Sequence, residues 1–268
     1  MSAQDGSMLR IKLQIKSGHR LKRRGENEHF MAIHLQSVEL LRDQYPTGEH
    51  YPFTLDILRK TKKLEFDTPV TLFAGENGSG KSTLLEALTR GAGIHIWSFA
   101  QGTRFQVNRY EKLLHNCLSL KWTNGAVPGA FFGSETFRDF KRLLDEWAAS
   151  DPGQFEYFGG KSLVTQSHGQ SMMSYFRSRY QIKGIYLLDE PETALSPKSQ
   201  LELLDLLGEC SRAGHAQFIV ATHSPILLAC RGAKIYSFDH LPARVIKYEE
   251  TEHYKLYSRF LLDRAGHH

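Results

Sequence analysis

Apolar and polar positions along this chain follow two periods, one of short buried strands and one of helices with a single apolar face. Phe30 to Leu41 alternates as a strand, and Tyr45-Pro46-Thr47-Gly48 ends it with a turn. Tyr51-Pro52-Phe53 leads into a short element that closes near Arg59. Val70 to Ala74 is a continuous buried strand, and Thr83 to Leu88 begins a helix with its apolar residues on one face. From Gly91 to about Lys161 the pattern is irregular, with one clear amphipathic helix over Glu135 to Ala148. That stretch predicts a helical subdomain inserted into the main fold. Order returns with a helix over Gln170 to Tyr180 and a buried strand over Ile185 to Asp189. The next helix runs from Pro197 to about Arg212, with Ser196 as N-cap, Pro197 at the first helical position and Gly214 beyond its end. Gln217 to Thr222 is a second buried strand. Lys234 to Phe238 and Arg244 to Tyr248 read as later strands, and the tail from Glu252 as a helix. Strands alternating with helices predict an α/β core with a mostly parallel sheet, preceded by N-terminal β elements. Heptads and internal repeats are absent from the sequence.

The junction of the Val70 strand and the following helix reads Gly75-Glu76-Asn77-Gly78-Ser79-Gly80-Lys81-Ser82-Thr83. It fits the P-loop pattern G-x-x-x-x-G-K-[ST], with strand before and helix after as that pattern requires. Glycines permit a tight loop whose backbone N–H groups turn inward around phosphate oxygens, and the helix N-terminus adds partial positive charge. Gly75, Asn77, Gly78, Ser79, Gly80, Lys81, Ser82 and Thr83 are the expected nucleotide-binding residues. Lys81 would reach the β- and γ-phosphates of ATP, and the Ser82 hydroxyl would ligate Mg²⁺. A chance glycine-rich turn does not account for strand, loop, Lys-Ser and helix all in register.

Two further strands end in chemistry. Gly184-Ile185-Tyr186-Leu187-Leu188-Asp189-Glu190 closes on two carboxylates, and in a parallel sheet these lie at the carboxyl end, beside the P-loop. Asp189 would hold Mg²⁺ and Glu190 would polarise the attacking water. Exposed carboxylates at strand ends are common, so the pair gains its meaning from the P-loop. The Gln217 strand ends in Thr222-His223-Ser224-Pro225. One helix and one strand separate it from Asp189, so His223 is expected beside the carboxylates, where it could reach a γ-phosphate. A histidine in isolation is more often a hydrogen-bonded structural residue.

Together these pieces resemble the ABC-type ATPase family. The resemblance identifies Gln166-Ser167-His168-Gly169-Gln170 as a variant of the family's Leu-Ser-Gly-Gly-Gln signature, lying before a helix and ahead of Asp189. It implies that Ser167, His168, Gly169 and Gln170 complete the ATP site of another copy, so that two copies sandwich two nucleotides as an ATP-dependent homodimer. Asp189-Glu190-Pro191-Glu192-Thr193-Ala194-Leu195-Ser196 is similar to the family's Walker B and D-loop passage. The chain departs from the transporter pattern at Gln166, at His168 and at Ser196, which stands in place of the D-loop aspartate. Its Glu-Asn-Gly-Ser-Gly-Lys-Ser-Thr loop and Ala-Thr-His-Ser-Pro ending resemble RecF/SMC-type and related stand-alone bacterial ATPases, from about Tyr51 to about Tyr257. For the Q-loop, Gln101, Gln106 and Ser134-Glu135 all stand open; for the adenine-stacking aromatic, Tyr51 and Phe53.

Composition bounds the remainder. The 268 residues, 41% hydrophobic and 24% charged, suit a globular protein with ample core. No apolar run approaches the roughly 20 residues that span a bilayer, and Met1 to Arg10 lacks the core of a secretory signal, so a cytoplasmic protein is expected. Cys117, Cys210 and Cys230 have no paired spacing and read as reduced core residues. Residues 1–29 read as a basic, poorly ordered arm, 30–264 as the ATPase domain with the helical and signature subdomain at about 91–180, and 265–268 as a tail. The net charge of +5 owes much to Arg10, Lys12, Lys16, Arg20, Lys22, Arg23 and Arg24. Such a run is commonly a solvated arm and could alternatively touch DNA or an acidic partner protein, although it lacks aromatic residues for base stacking. The P-loop-to-signature interval is too short for a long coiled-coil arm at about 1.5 Å per residue. The function expected is Mg²⁺-dependent ATP hydrolysis by a non-transporter ATPase of the nucleic-acid maintenance or defence type. The alternative is the soluble ATP-hydrolysing subunit of a membrane transporter.

Overall fold

The computed structural model describes residues 33–96, 108–133 and 168–265. The basic arm, Gln101, Gln106, the Glu135–Ala148 helix and Ser167 lie outside these residues. Nine strands form two sheets among the described residues. The strands are β1 (Leu35–Leu40), β2 (Lys63–Glu65), β3 (Val70–Ala74), β4 (Leu118–Trp122), β5 (Gly129–Gly133), β6 (Gly184–Asp189), β7 (Ala216–Ala221), β8 (Lys234–Ser237) and β9 (Arg244–Ile246). A three-stranded antiparallel sheet runs β2-β1-β4, and a six-stranded sheet runs β5-β6-β7-β3-β8-β9. All neighbours in the larger sheet are parallel except β8 and β9.

The helices are α1 (Asp56–Lys60), α2 (Lys81–Gly91), α3 (His168–Arg179), α4 (Pro197–Arg212), α5 (Pro225–Leu228) and α6 (Glu252–Ala265). Strand parity assigns them to opposite faces of the large sheet. Leu72, Tyr186, Leu188, Phe218 and Val220 point into one core, shared with α3, α4 and α5 through Met172, Phe176, Leu203, Leu207 and Leu228. Phe73, Ile185, Leu187, Ile219 and Ala221 point into the other, shared with α2 and the small sheet through Leu84, Leu88, Val38 and Leu64. Both faces of β3, β6 and β7 are therefore covered, which is why these strands read as unbroken apolar runs. Each fully buried Leu or Phe contributes about 1.5–3 kcal/mol over an exposed one.

Most expected elements appear within a residue or two. The Ser196 cap is formed, with Ser199 N–H donating to Ser196 Oγ at 3.2 Å, and Gly214 has φ 73°. The interval after Gly91 differs from its irregular reading, because it supplies β4 to the small sheet and β5 to the edge of the large one. Leu118, Leu120 and Trp122 alternate with Ser119 and Lys121, a strand period too short to stand out beside the surrounding glycines. The three cysteines are buried and free. No helix among the described residues is long and apolar enough to cross a membrane.

Candidate nucleotide site

The ends of β3, β7 and β6 are level, since Phe73 and Asp189 both pair in register with Ala221. Whatever follows these positions emerges at one edge of the sheet: the loop from Gly75, the Thr222–Ser224 turn, and Glu190. The sequence reading expected these three side by side, and the strand register places the positions that carry them at one edge of the sheet.

The loop depends on two glycines for different reasons. Gly75 has φ 152°, and a Cβ there would lie 3.0 Å from Asp239 Oδ1. Gly80 has φ 96°, and a Cβ would meet Ile57 Cγ2 at 2.8 Å. Gly80 is also the N-cap of α2 and offers no capping side chain, so the first-turn N–H groups of that helix have no intrahelical or capping partner. An uncapped helix start beside a glycine loop is a ready anion site. Lys81 is 3% exposed, and its Nζ donates to Gly75 O at 2.7 Å and Glu76 O at 2.8 Å. Burial pulls its ammonium below the ordinary lysine value, opposed by Glu190, Asp239 and Asp189. A phosphate would add a direct ion pair to an ammonium that among the described residues bonds only carbonyl and hydroxyl oxygens.

Ser82 Oγ donates to Asp189 Oδ1 at 2.8 Å, joining residues 107 apart in sequence. A hydroxyl and a carboxylate are hard oxygen donors of the kind Mg²⁺ takes beside nucleotide phosphates, so the donor set fits that ion. Burial pushes Asp189 up to about 6, with the Ser82 hydrogen bond working against the shift and the Glu190 charge working with it.

Glu190 has φ 45° and ψ 55° and is the sole non-glycine at positive φ among the described residues. His223 Nε2 lies 3.3 Å from Glu190 Oε1, yet off the line a hydrogen bond needs, and is buried without another polar partner. Burial, and then the Lys81 charge, hold His223 below the ordinary imidazole value while Glu190 pulls it upward.

Three residues near the site were not singled out in the sequence. Asp239 follows β8 and accepts from Glu76 N–H at 2.8 Å, bracing the loop. Its signal, an apolar strand ending in Asp, is the same one that marked Asp189. Glu192 accepts from the His223 N–H at 2.6 Å and the Ser224 N–H at 3.2 Å. His253, at the start of α6, sets its ring 5.5 Å from that of His223. Neither Glu192 nor His253 carried a local signal.

The remaining expectations divide. Tyr51 lines an open cleft with Asn77, Gly78, Lys81, Thr83 and Glu190, and its hydroxyl shares a 2.8 Å hydrogen bond with Thr83 Oγ1. Phe53 is fully buried, which removes it as a base-stacking candidate and leaves Tyr51. His168, Gly169 and Gln170 open α3, and a Cβ on Gly169 would lie 3.2 Å from Ala194 O, so the helix start backs onto the turn after Glu190.

A parallel sheet, a glycine loop leading into a helix, and carboxylates level with that loop form the fold and site pattern of P-loop ATPases of the ABC type. The chain is similar to proteins of that kind. An AAA-domain model matches residues 53–93, and a second AAA-domain model, described as putative AbiEii toxin of a type IV toxin–antitoxin system, matches 173–229. The first segment holds the P-loop and the second holds Asp189, Glu190 and His223. The chain is 26% identical over 178 residues to the probable siderophore transport system ATP-binding protein YusV of Bacillus subtilis (strain 168), covering 61% of this chain and 64% of that protein. It is 29% identical over 218 residues to the ferric enterobactin transport ATP-binding protein FepC of Escherichia coli (strain K12), covering 74% of this chain and 77% of that one. Solved structures with similarity include cbiO1 of Clostridium perfringens, at TM-score 0.49 and 18% identity over 88% of this chain and 98% of that one. They also include the SMC head domain of Thermotoga maritima, at TM-score 0.42 and 16% identity over 80% and 99%.

Proposed function

We propose that this chain binds ATP with Mg²⁺ and hydrolyses the β–γ phosphoanhydride, working in the cytoplasm as a homodimer with two nucleotides between its copies. The observation that carries the reading is the 2.8 Å contact of Ser82 with Asp189, a P-loop hydroxyl held to a strand-end carboxylate next to a buried lysine. Mg²⁺ held by Ser82 and Asp189 would neutralise charge on the β- and γ-oxygens. Lys81 and the Gly75–Thr83 backbone bind the phosphates. Glu190 takes a proton from the attacking water as its oxygen bonds to the γ-phosphorus and the bond to the β,γ-bridging oxygen breaks. His223 donates to the γ-phosphate and gains the partner its Nε2 lacks. Ser167, His168, Gly169 and Gln170 close the site of the other copy.

For what the cycle drives, we favour a non-transporter role in nucleic-acid maintenance or defence, on the signature and D-loop departures at Gln166, His168 and Ser196. A transporter subunit is the second reading, favoured by the transport systems named for the two curated relatives. Salt-dependent DNA binding supports the first and co-purification with a membrane protein the second.

The dimer is tested by light scattering of Glu190→Gln and Glu190→Gln/Ser167→Arg, each with and without Mg-ATP. Glu190→Gln keeps shape while removing the proton acceptor, so ATP should persist and hold a dimer. Adding Ser167→Arg should return it to monomer with ATP affinity intact, since Ser167 meets nucleotide only across the interface. Monomer in all four samples overturns the two-copy sandwich.

A further inference from the structure

The turn that follows Glu190 and the turn that carries His223 are joined through a buried carboxylate. Glu192 lies in the 3₁₀ turn Pro191–Ala194, immediately after Glu190. Its Oε1 accepts from the backbone N–H of His223 at 2.6 Å and of Ser224 at 3.2 Å, across 31 and 32 residues of sequence. Its Oε2 is buried and forms no well-aligned hydrogen bond, while the Thr222 side chain joins the His223 N–H in favouring the charged carboxylate. A surface salt bridge could not explain this placement, because no Lys or Arg pairs with Glu192 among the described ion pairs. Burying a carboxylate costs free energy, and burial does push Glu192 above the ordinary carboxylate range. A charge-assisted bond to backbone N–H groups offsets part of that cost and fixes where those groups sit.

We propose that Glu192 is the positioning residue for His223. Resting on the ATPase reading above, the proposal gives Glu192 no contact with nucleotide; it acts by holding the histidine's own peptide. The geometry supports this in three ways. The 2.6 Å bond falls on His223 itself, so the Cα from which the imidazole projects is fixed relative to Glu190. Glu192 and Glu190 share one short turn, with Thr193 Oγ1 and N–H both bonding to Glu190 O, so base and histidine are registered to each other through a few backbone bonds. The neighbouring Ser224 has its own tie, donating from Oγ to Gln200 Oε1 at 2.6 Å, which keeps the loop attached to α4 without Glu192. What remains for Glu192 is the orientation of His223, whose Nε2 stops 3.3 Å from Glu190 Oε1 out of hydrogen-bonding alignment.

The experiment uses the full chain and three variants. Glu192→Gln keeps an acceptor oxygen at the same reach. Glu192→Asp withdraws it by one methylene, and Glu192→Ala removes it. Mg-ATPase is measured in steady state and in single turnover, with circular dichroism to verify folding. Glu192→Asp and Glu192→Ala are expected to lose about 10- to 100-fold in kcat, the order of effect that a displacement of about 1 Å produces, with KM for ATP within about twofold. Glu192→Gln should stay within about threefold of the parent in kcat. In a His223→Ala background, Glu192→Asp should add no further loss of single-turnover rate, because it acts only through that side chain. Unchanged kcat in Glu192→Asp overturns the proposal, as does a Glu192→Gln variant as slow as Glu192→Asp, or losses that multiply with His223→Ala. The Gln and Asp variants decide the matter even if the alanine variant fails to fold. A parent that releases no phosphate overturns the ATPase reading and the proposal with it, whereas a His223→Ala variant as fast as the parent leaves the ATPase reading standing and overturns the role of His223 and the proposal.

Discussion

The two ends of β7 bury polar side chains under opposite rules. At the amino end, Gln217 is fully buried, and its Oε1 accepts from the N–H groups of His34 and Leu35, both at 2.8 Å. Its Nε2 donates to Leu35 O at 2.9 Å, and His34 Nε2 is paired with His215 O at 3.0 Å. Just past the carboxyl end, His223 Nε2 and Glu192 Oε2 are buried without well-aligned hydrogen bonds, and Glu190 holds a left-handed backbone. They are two of four such side-chain atoms among the described residues; the other two, Thr71 Oγ1 and the Tyr180 hydroxyl, are isolated in core residues, whereas these two belong to bonded neighbouring turns. A buried group with all its partners contributes to stability, and one without them costs free energy that packing elsewhere, a water or a ligand must offset. The same strand thus anchors the fold at one end and presents the candidate site at the other.

Removing Gln217 should produce the largest effect on this contrast. Gln217→Leu keeps volume but leaves the N–H groups of His34 and Leu35 and the Leu35 carbonyl without partners at the junction of the two sheets. A loss of about 3 kcal/mol in unfolding free energy is expected in urea titration, with ATP affinity of the folded fraction unchanged. A loss below about 1 kcal/mol would mean that water satisfies those groups, and the amino end would no longer count as the anchored one.

The contrast also separates what the sequence disclosed from what it hid. Gly75–Thr83, Asp189-Glu190 and His223 stood out because the chemistry proposed for them needs particular residue types at strand ends, and strand ends show as the close of an apolar run. Gln217 and Glu192 did not, since each bonds to backbone N–H groups far away in sequence, and a backbone N–H has no residue identity to read. The α/β class followed from alternating periods, but the order β5-β6-β7-β3-β8-β9 did not, because pairing between distant strands leaves no trace in either one's pattern. Asp239 was legible in principle, by the rule that found Asp189. His253 was not, since its place depends on how α6 returns to the sheet.

A middling effect concerns Asp189, which burial pushes up to about 6. A protonated carboxyl does not ligate a cation, so the advantage Mg²⁺ gives to ATP binding should fall about tenfold per pH unit below about 6, or about 1.4 kcal/mol, and level off above pH 7. The nucleotide-free fold responds with the opposite sign. A carboxyl raised from 3.8 to about 6 stabilises the folded chain most below 3.8, and that contribution is lost as pH rises through about 6. Calorimetry of ATP binding with and without Mg²⁺ from pH 5 to 8 checks the first statement. Asp189→Asn, which should show no Mg²⁺ advantage at any pH, separates Asp189 from titration of ATP itself. A parent whose Mg²⁺ advantage tracks that of the variant removes Asp189 from the ion.

The smallest effect isolates the backbone of Glu190. At φ 45° and ψ 55° its Cβ crowds the adjoining carbonyl, a cost of about 1–2 kcal/mol for a residue with a side chain. Glycine relieves that cost but loses about 0.5–1 kcal/mol more in chain entropy on folding. Glu190→Gly should therefore be more stable than Glu190→Ala by about 0.5–1 kcal/mol, although both lack the carboxylate and both should fail to turn over ATP. Comparing these two variants, and not either with the parent, cancels the loss of the side chain's charge and leaves the conformation alone. Urea midpoints at constant slope give the difference. If the glycine variant proves no more stable than the alanine, the left-handed turn is unstrained. The cost at the carboxyl end would then rest on the orphaned atoms of His223 and Glu192 alone.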